Sequence, residues 1–235
     1  MNSNRETGQL AFALAGQDKA SFENFWVGHN TELVSALNAS VTIGEPKAVY
    51  FYGPHGCGKS HLLFAAMRLA KEEVVNTSYL SLLDPYIAAE MLETVDVKHL
   101  VCLDNIQAWA GDKSRERALF TLFEQVKHAG GQILISAQQP PEETPFVIRD
   151  LVSRLSSGLI YALHELTDEQ RIEALKMRAD QRGLSMNDDV VKYLVSRSPR
   201  DTAALFAALD TIDQASLVEQ RRVTIPFLQK LFKSS

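Results

Sequence analysis

The sequence predicts an α/β protein: a parallel sheet between two helical layers, followed by a small all-helical C-terminal unit. Three observations carry this. A G-x-x-x-x-G-K-S loop, Gly53 to Ser60, stands between an apolar strand-like run and a helical pattern. Apolar runs of strand length alternate with helical patterns over residues 48–162. From residue 167 onward only helical periodicity is left.

In chain order, residues 1–20 read as a polar, flexible tail with one apolar stretch at 10–15. That stretch is shorter than a signal-peptide core, and Glu6 offsets Arg5, so the tail is expected to stay in the mature protein. Leu10, Phe12 and Leu14 alternate, so an extended tail can offer all three to one groove of a partner, with Gln9 as a polar anchor. An edge strand packed on its own domain accounts for the same pattern. Residues 21–30 concentrate aromatics ahead of a helix starting at Thr31, whose buried face is Leu33, Val34 and Leu37. Aromatic and backbone groups there, Val27 among them, can line a base pocket; plain core packing of Phe22 and Phe25 is the alternative.

The spacing then predicts strands at 48–52, 77–82, 99–104, 132–136 and 158–162, with helices over about 59–73, 113–128 and 148–155. Asp84 and Pro85 read as an N-cap and first-turn proline. Gly130 and Gly131 end the helix before the fourth strand. Thr167 and Gln170 form a capping box, Gly183 closes that helix, and three more follow from about residues 187, 198 and 225. The expected units are the tail 1–20, a nucleotide-binding α/β domain 21–166 and a helical lid 167–235.

Totals narrow the function classes. At 235 residues and 46% hydrophobic content the chain can bury a core without disulfides, and its two cysteines, Cys57 and Cys102, suit a reducing cytosol. A net charge of −5 argues against broad binding to nucleic acid, leaving DNA contact indirect or weak. No apolar run reaches membrane-spanning length.

The glycine loop dictates a polyphosphate site. Gly53, Pro54, His55, Gly56, Cys57 and Gly58 let backbone N–H groups wrap phosphates, Lys59 reaches the β and γ oxygens, and Ser60 completes a Mg²⁺ shell at a helix N-terminus, with His61 following. Asp104 ends a buried strand, where a carboxylate can hold the same Mg²⁺. Gln138 lies just past the next strand, at the same sheet edge if the strands are parallel.

The fuller pattern resembles the AAA+ family and, within it, the bacterial replication initiator DnaA. Phe22, Phe25, Gly28 and Asn30, the phosphate loop, the stretch Leu103 to Gln107, the Ser153-Arg154-Leu155 triplet and a helix starting at Arg200 carry it, over nearly the whole chain. DnaA initiators carry a helix-turn-helix domain after the lid, and none is expected here. A tail with Gln9 to Leu14 before a lone AAA+ unit is similar to the Hda family of DnaA-homologous regulators. That resemblance implies ADP or ATP with Mg²⁺ as ligands, DnaA and the DNA polymerase sliding clamp as partners, and a homo-oligomer as a possibility. It implies Gln138 as first sensor, Arg200 as the lid arginine on the phosphates, Arg154 as an arginine finger acting in trans, and Gln9, Leu10, Phe12 and Leu14 as clamp contacts. One departure stands out. Asn105 follows Asp104 where an active AAA+ ATPase has a second acid, and an amide cannot take a proton from water, so slow intrinsic hydrolysis is expected. An autonomous ATPase such as a helicase loader, and a DNA-binding adaptor using Lys47, Arg221 or Arg222, are the competing readings.

Overall fold

The structure, a computed structural model, describes residues 20–198, 202–219 and 222–233. These fall into two compact units: one runs to Pro54 and from Lys59 to His164, the other takes residues 55–58 and those from Glu165 onward.

In the first unit, strands β1 (Ala48–Tyr52), β2 (Thr77–Ser81), β3 (Leu100–Asp104), β4 (Gln132–Ala137) and β5 (Leu159–Ala162) form one sheet. Its order is β2-β3-β4-β1-β5 and every pairing is parallel. Parallel neighbours need long crossovers; helix α1 (Thr31–Thr42) precedes β1, and helices α2 (Lys59–Glu72), α3 (Lys113–Ala129) and α4 (Arg149–Leu155) occur among the connections. Tyr50, Val101, Leu103, Ile133 and Ile135 form one face of the sheet and pack with Leu119, Leu122 and Val126 of α3 and Leu151 and Leu155 of α4. Val49, Phe51, Cys102 and Leu134 alternate with them and are equally buried, on the side where α1 and α2 lie against the strands. The three-layer α/β architecture expected from the sequence is therefore present.

Local chemistry sets the element ends. The Asp112 side chain caps α3 by accepting from Ser114 N and Arg115 N, and Gly130 ends it in the left-handed region at φ 74°. Gly131 is required by a close approach, since a Cβ there would sit 2.8 Å from the His99 carbonyl oxygen. The helix expected from Asp84 differs. Asp84 Oδ1 accepts from Tyr86 N at 2.9 Å, and the helical geometry between Asp84 and β3 is a 3₁₀ segment, Ala89–Thr94. An i to i+2 bond of this kind serves an Asx turn as well as an N-cap, and here the chain closes a turn, with Ile87 N donating to the Asp84 carbonyl oxygen at 3.1 Å, instead of continuing as an α-helix.

Glu116 of α3 is fully buried. Its Oε1 accepts from Gly111 N at 2.7 Å, and its Oε2 from Val147 N at 2.9 Å and Ile148 N at 2.8 Å. Ile148 is the N-cap of α4 and its own side chain caps nothing, so a carboxylate on α3 fixes the start of α4. Glu116→Ala, which strands these amides, is expected to cost about 3 kcal/mol, and Glu116→Gln about half as much. Urea midpoints at constant m-value check both.

In the second unit, α5 (Asp168–Gln181), α6 (Asp188–Arg197), α7 (Thr202–Glu219) and α8 (Ile225–Lys233) enclose a separate core of Leu175, Val191, Leu194, Leu205, Leu209 and Leu228. The Thr167 capping box is formed, with Thr167 N donating to the Gln170 side chain at 3.0 Å and Gln170 N to Thr167 Oγ1 at 3.3 Å. No helix among the described residues is long and apolar enough to cross a membrane.

Candidate functional site

The phosphate loop leaves β1 at Gly53 and enters α2 at Lys59, with Gly56 at φ 77° and Gly58 at φ 104°. These left-handed values are why glycine is needed at both positions. Lys59 is 7% exposed, and its Nζ donates to the Gly53 and Pro54 carbonyl oxygens at 2.7 and 2.6 Å. The ammonium is thus folded onto carbonyls of its own loop, at the N-terminal end of a fourteen-residue helix.

β4 lies between β1 and β3 in the sheet, yet Ser60 at the start of α2 reaches Asp104 at the end of β3. Ser60 Oγ donates to Asp104 Oδ2 at 2.6 Å, and Tyr79 of β2 donates to the same oxygen at 2.9 Å. Ser136 of β4 donates to the other oxygen, Oδ1, and accepts from Asn105 N at 3.0 Å. Asp104 is 2% exposed, so three hydroxyls supply the partners that water would otherwise provide. Asn105 sits in the left-handed region at φ 61° and ψ 48°, and its side-chain oxygen accepts from Gln107 Nε2 at 3.4 Å.

Tyr79 and Ser136 escaped the sequence reading. Ser136 carried a signal, a lone hydroxyl near the end of an otherwise apolar buried strand. Tyr79 carried none, because Asp104 is registered with Ser81 and Tyr79 reaches it only diagonally across the β2-β3 pair. Burial first, and the Asp104 charge second, push the Tyr79 phenol above its ordinary range. Burial does the same to Tyr50 and to the Cys102 thiol. These groups stay protonated in the folded chain to higher pH than in the unfolded one, so the unfolded state gains stability as pH rises past the ordinary thiol and phenol values. Stability is expected to fall from about pH 9 to 10 upward. Tyr79→Phe should flatten the decline between about pH 9.5 and 11, as read from urea denaturation across that range.

The group suits Mg²⁺. One carboxylate and one hydroxyl, with phosphates supplying further oxygens, match how that ion is bound in nucleotide sites. Among the described residues no cluster of three or more His, Cys, Asp or Glu is present.

Gln138 is exposed just past β4 and makes no side-chain hydrogen bond among the described residues. Val27 is half-buried, and its carbonyl accepts from Asn30 N at 2.8 Å. Asn30 is 4% exposed, and its Oδ1 accepts from His164 N at 3.0 Å, tying the start of α1 to the end of β5. The His61 Nε2 lies 3.0 Å from the Ser21 carbonyl oxygen, with its ring 5.7 Å from that of Phe25, so the aromatic segment rests on the first turn of α2. Arg154 is on α4, its side chain 38% exposed and its Nε 2.7 Å from Oε1 of Glu124 on α3. Arg200 and the tail residues Gln9, Leu10, Phe12 and Leu14 lie outside the described residues.

Residues 17–162 match the family model of the bacterial DnaA ATPase domain, and residues 168–232 match that of the Hda lid domain. Among solved structures, domain III of the Thermotoga maritima replication initiation protein DnaA is similar at 21% identity and TM-score 0.74, over 92% of this chain and 96% of that one. AMPPCP-bound DnaA from Aquifex aeolicus is similar at 24% identity and TM-score 0.68, over 83% of this chain and 65% of that one. A Thermotoga maritima RuvB point mutant is similar at 19% identity and TM-score 0.69, over 93% of this chain and 73% of that one. At such identities these likenesses speak for the fold.

Proposed function

We propose a function from one premise: the chain belongs to the bacterial DnaA ATPase-domain family, as a DnaA-homologous AAA+ protein with an Hda-type lid. On this reading it is a regulator of replication initiation that acts on the nucleotide of DnaA more than on its own.

The loop from Gly53 to Ser60 takes ADP or ATP, with Lys59 released from its carbonyls to the phosphates. Ser60 and Asp104 would hold Mg²⁺, which would supply positive charge against the phosphates. Gln138 and, from the lid, Arg200 sense the phosphates, while Val27 lines the base pocket and His61 follows the loop at the nucleotide. The observation that carries the regulatory reading is Asn105. It occupies the place where a second acid would polarise the attacking water, and its backbone N–H is tied to Ser136 while its side-chain oxygen accepts from Gln107. The bound nucleotide therefore serves as a conformational ligand, and Arg154 is the group that acts, on ATP held by DnaA. A guanidinium against the γ-phosphate stabilises the charge that develops as water attacks phosphorus and the bond to the bridging oxygen breaks. The tail, through Gln9, Leu10, Phe12 and Leu14, tethers the chain to the sliding clamp, and self-association is a further possibility for the same segment.

The test is a mixed assay with ATP-loaded DnaA, the clamp and this chain. DnaA-bound ATP should be hydrolysed only when all three are present, and the purified chain alone should turn over little ATP. Turnover by the chain alone at the rate of an active AAA+ ATPase would replace this reading with an autonomous motor. Clamp pull-down should be lost in the Gln9→Ala, Phe12→Ala double variant; undiminished capture removes the tether.

A further inference from the structure

We infer that Glu124 is a positioning residue for Arg154, a guide that fixes the guanidinium for use in trans; the inference rests on the finger reading above. Arg154 belongs to a helix of seven residues, too short to hold its own direction by local hydrogen bonds alone. The neighbouring α3 is seventeen residues long and bears two acids against it. Glu116 holds the amides of Val147 and Ile148 at the start of α4, and Glu124 meets Arg154 near its end. Eight positions apart on a helix, the two acids differ by about 80° around the axis, so one side of α3 serves both.

The contact itself suits a guide. Nε is 2.7 Å from Glu124 Oε1, but that oxygen has no aligned hydrogen-bond donor, so the pair is held by charge and proximity. Side-chain exposures are 24% for Glu124 and 38% for Arg154, which puts the acid beneath and the cation toward solvent. The contact is made at Nε, so the edge of the planar guanidinium that bears both terminal nitrogens is left for a bidentate grip on phosphate oxygens. Holding a transition-state charge in place before its partner arrives is worth far more than the pair contributes to folding.

The experiment uses the full chain in the mixed assay with ATP-loaded DnaA and clamp. Hydrolysis is measured against the concentration of this chain, so that the saturating rate and the half-saturating concentration are separated. Glu124→Ala should lower the saturating rate about 10- to 100-fold, as misplacement of a transition-state group does, with the half-saturating concentration unchanged. Glu124→Gln, which keeps the reach but not the charge that holds the pair, should also lose about 10-fold or more. Glu124→Ala combined with Arg154→Ala should be no slower than Arg154→Ala alone. Urea midpoints of the variants separate these effects from unfolding. An unchanged or faster rate in Glu124→Ala, or a change confined to the half-saturating concentration, overturns the guide while leaving the finger standing. Full stimulation by Arg154→Ala overturns finger and guide together.

Discussion

Replacing Arg154 by alanine is expected to abolish stimulated hydrolysis of DnaA-bound ATP, with a loss on the order of 10³ or more at saturating concentrations of this chain. The size follows from what a finger supplies: a fixed positive charge beside the γ-phosphate in a site closed to water, where electrostatic stabilisation outweighs other contributions. The cost to the chain itself should be small. The Arg154 and Glu124 pair is partly exposed at 38% and 24%, so its contribution to stability, screened by solvent, is under about 1 kcal/mol. Fold, nucleotide content and clamp capture should therefore match the parent, and only hydrolysis on DnaA should fall. Arg154→Lys keeps the charge but not the planar fork, and should recover less than about a tenth of the lost rate. Single-turnover hydrolysis with preloaded DnaA makes the measurement, and stimulation that survives in Arg154→Ala removes the finger from the mechanism.

How legible each feature is in the sequence depends on the distance over which it is made. The phosphate loop was legible because contiguous residues specify it: the apolar 48–52, the glycines that adopt φ 77° and 104°, and the Lys59-Ser60 pair opening a helix. Asp104 was legible because burying a carboxylate at the end of an apolar run is costly unless a cation or hydrogen-bond donors meet it. The Thr167 capping box and the Gly130 stop are local devices and formed where expected. The groups around Asp104 were not legible, because β2, β3 and β4 bring Tyr79 and Ser136 to it across the sheet. Nothing in the sequence around Glu116 sets it apart from the other charges of its helix, yet it is fully buried on amides as many as 32 positions away. Asp84 is ambiguous for a related reason: one residue type caps helices and closes turns with the same i to i+2 bond, as Asp112 and Asp84 do here, and the choice lies with whether the chain that follows goes on as a helix.

Lys59→Ala should lower affinity for ADP or ATP by about 100-fold or more, which is about 3 kcal/mol and equals the loss of one or two charge-assisted hydrogen bonds to phosphate. The present geometry explains why the loss should fall on binding and not on folding. With its Nζ on the carbonyls of Gly53 and Pro54, 2.7 and 2.6 Å away, Lys59 exchanges neutral acceptors for charged ones when phosphate enters. Alanine is a better helix former at that position and removes a cation from the N-terminal end of α2, where the helix dipole disfavours it. The ligand-free variant should therefore unfold within a few degrees of the parent. What should disappear is the ligand-induced gain. Nucleotide at about 100 times the parent dissociation constant stabilises the parent by about 2.7 kcal/mol, whereas a variant bound about 100-fold more weakly gains only about 0.4 kcal/mol. Thermal unfolding with and without ADP reads that contrast directly, and a variant whose midpoint still climbs as the parent's does would show that Lys59 is not the phosphate ligand. On the proposed reading, in which the nucleotide is a conformational ligand, Lys59→Ala should also weaken stimulation of DnaA without touching Arg154. A nucleotide-free chain that still stimulates fully would mean that α4 presents its arginine independently of the loop.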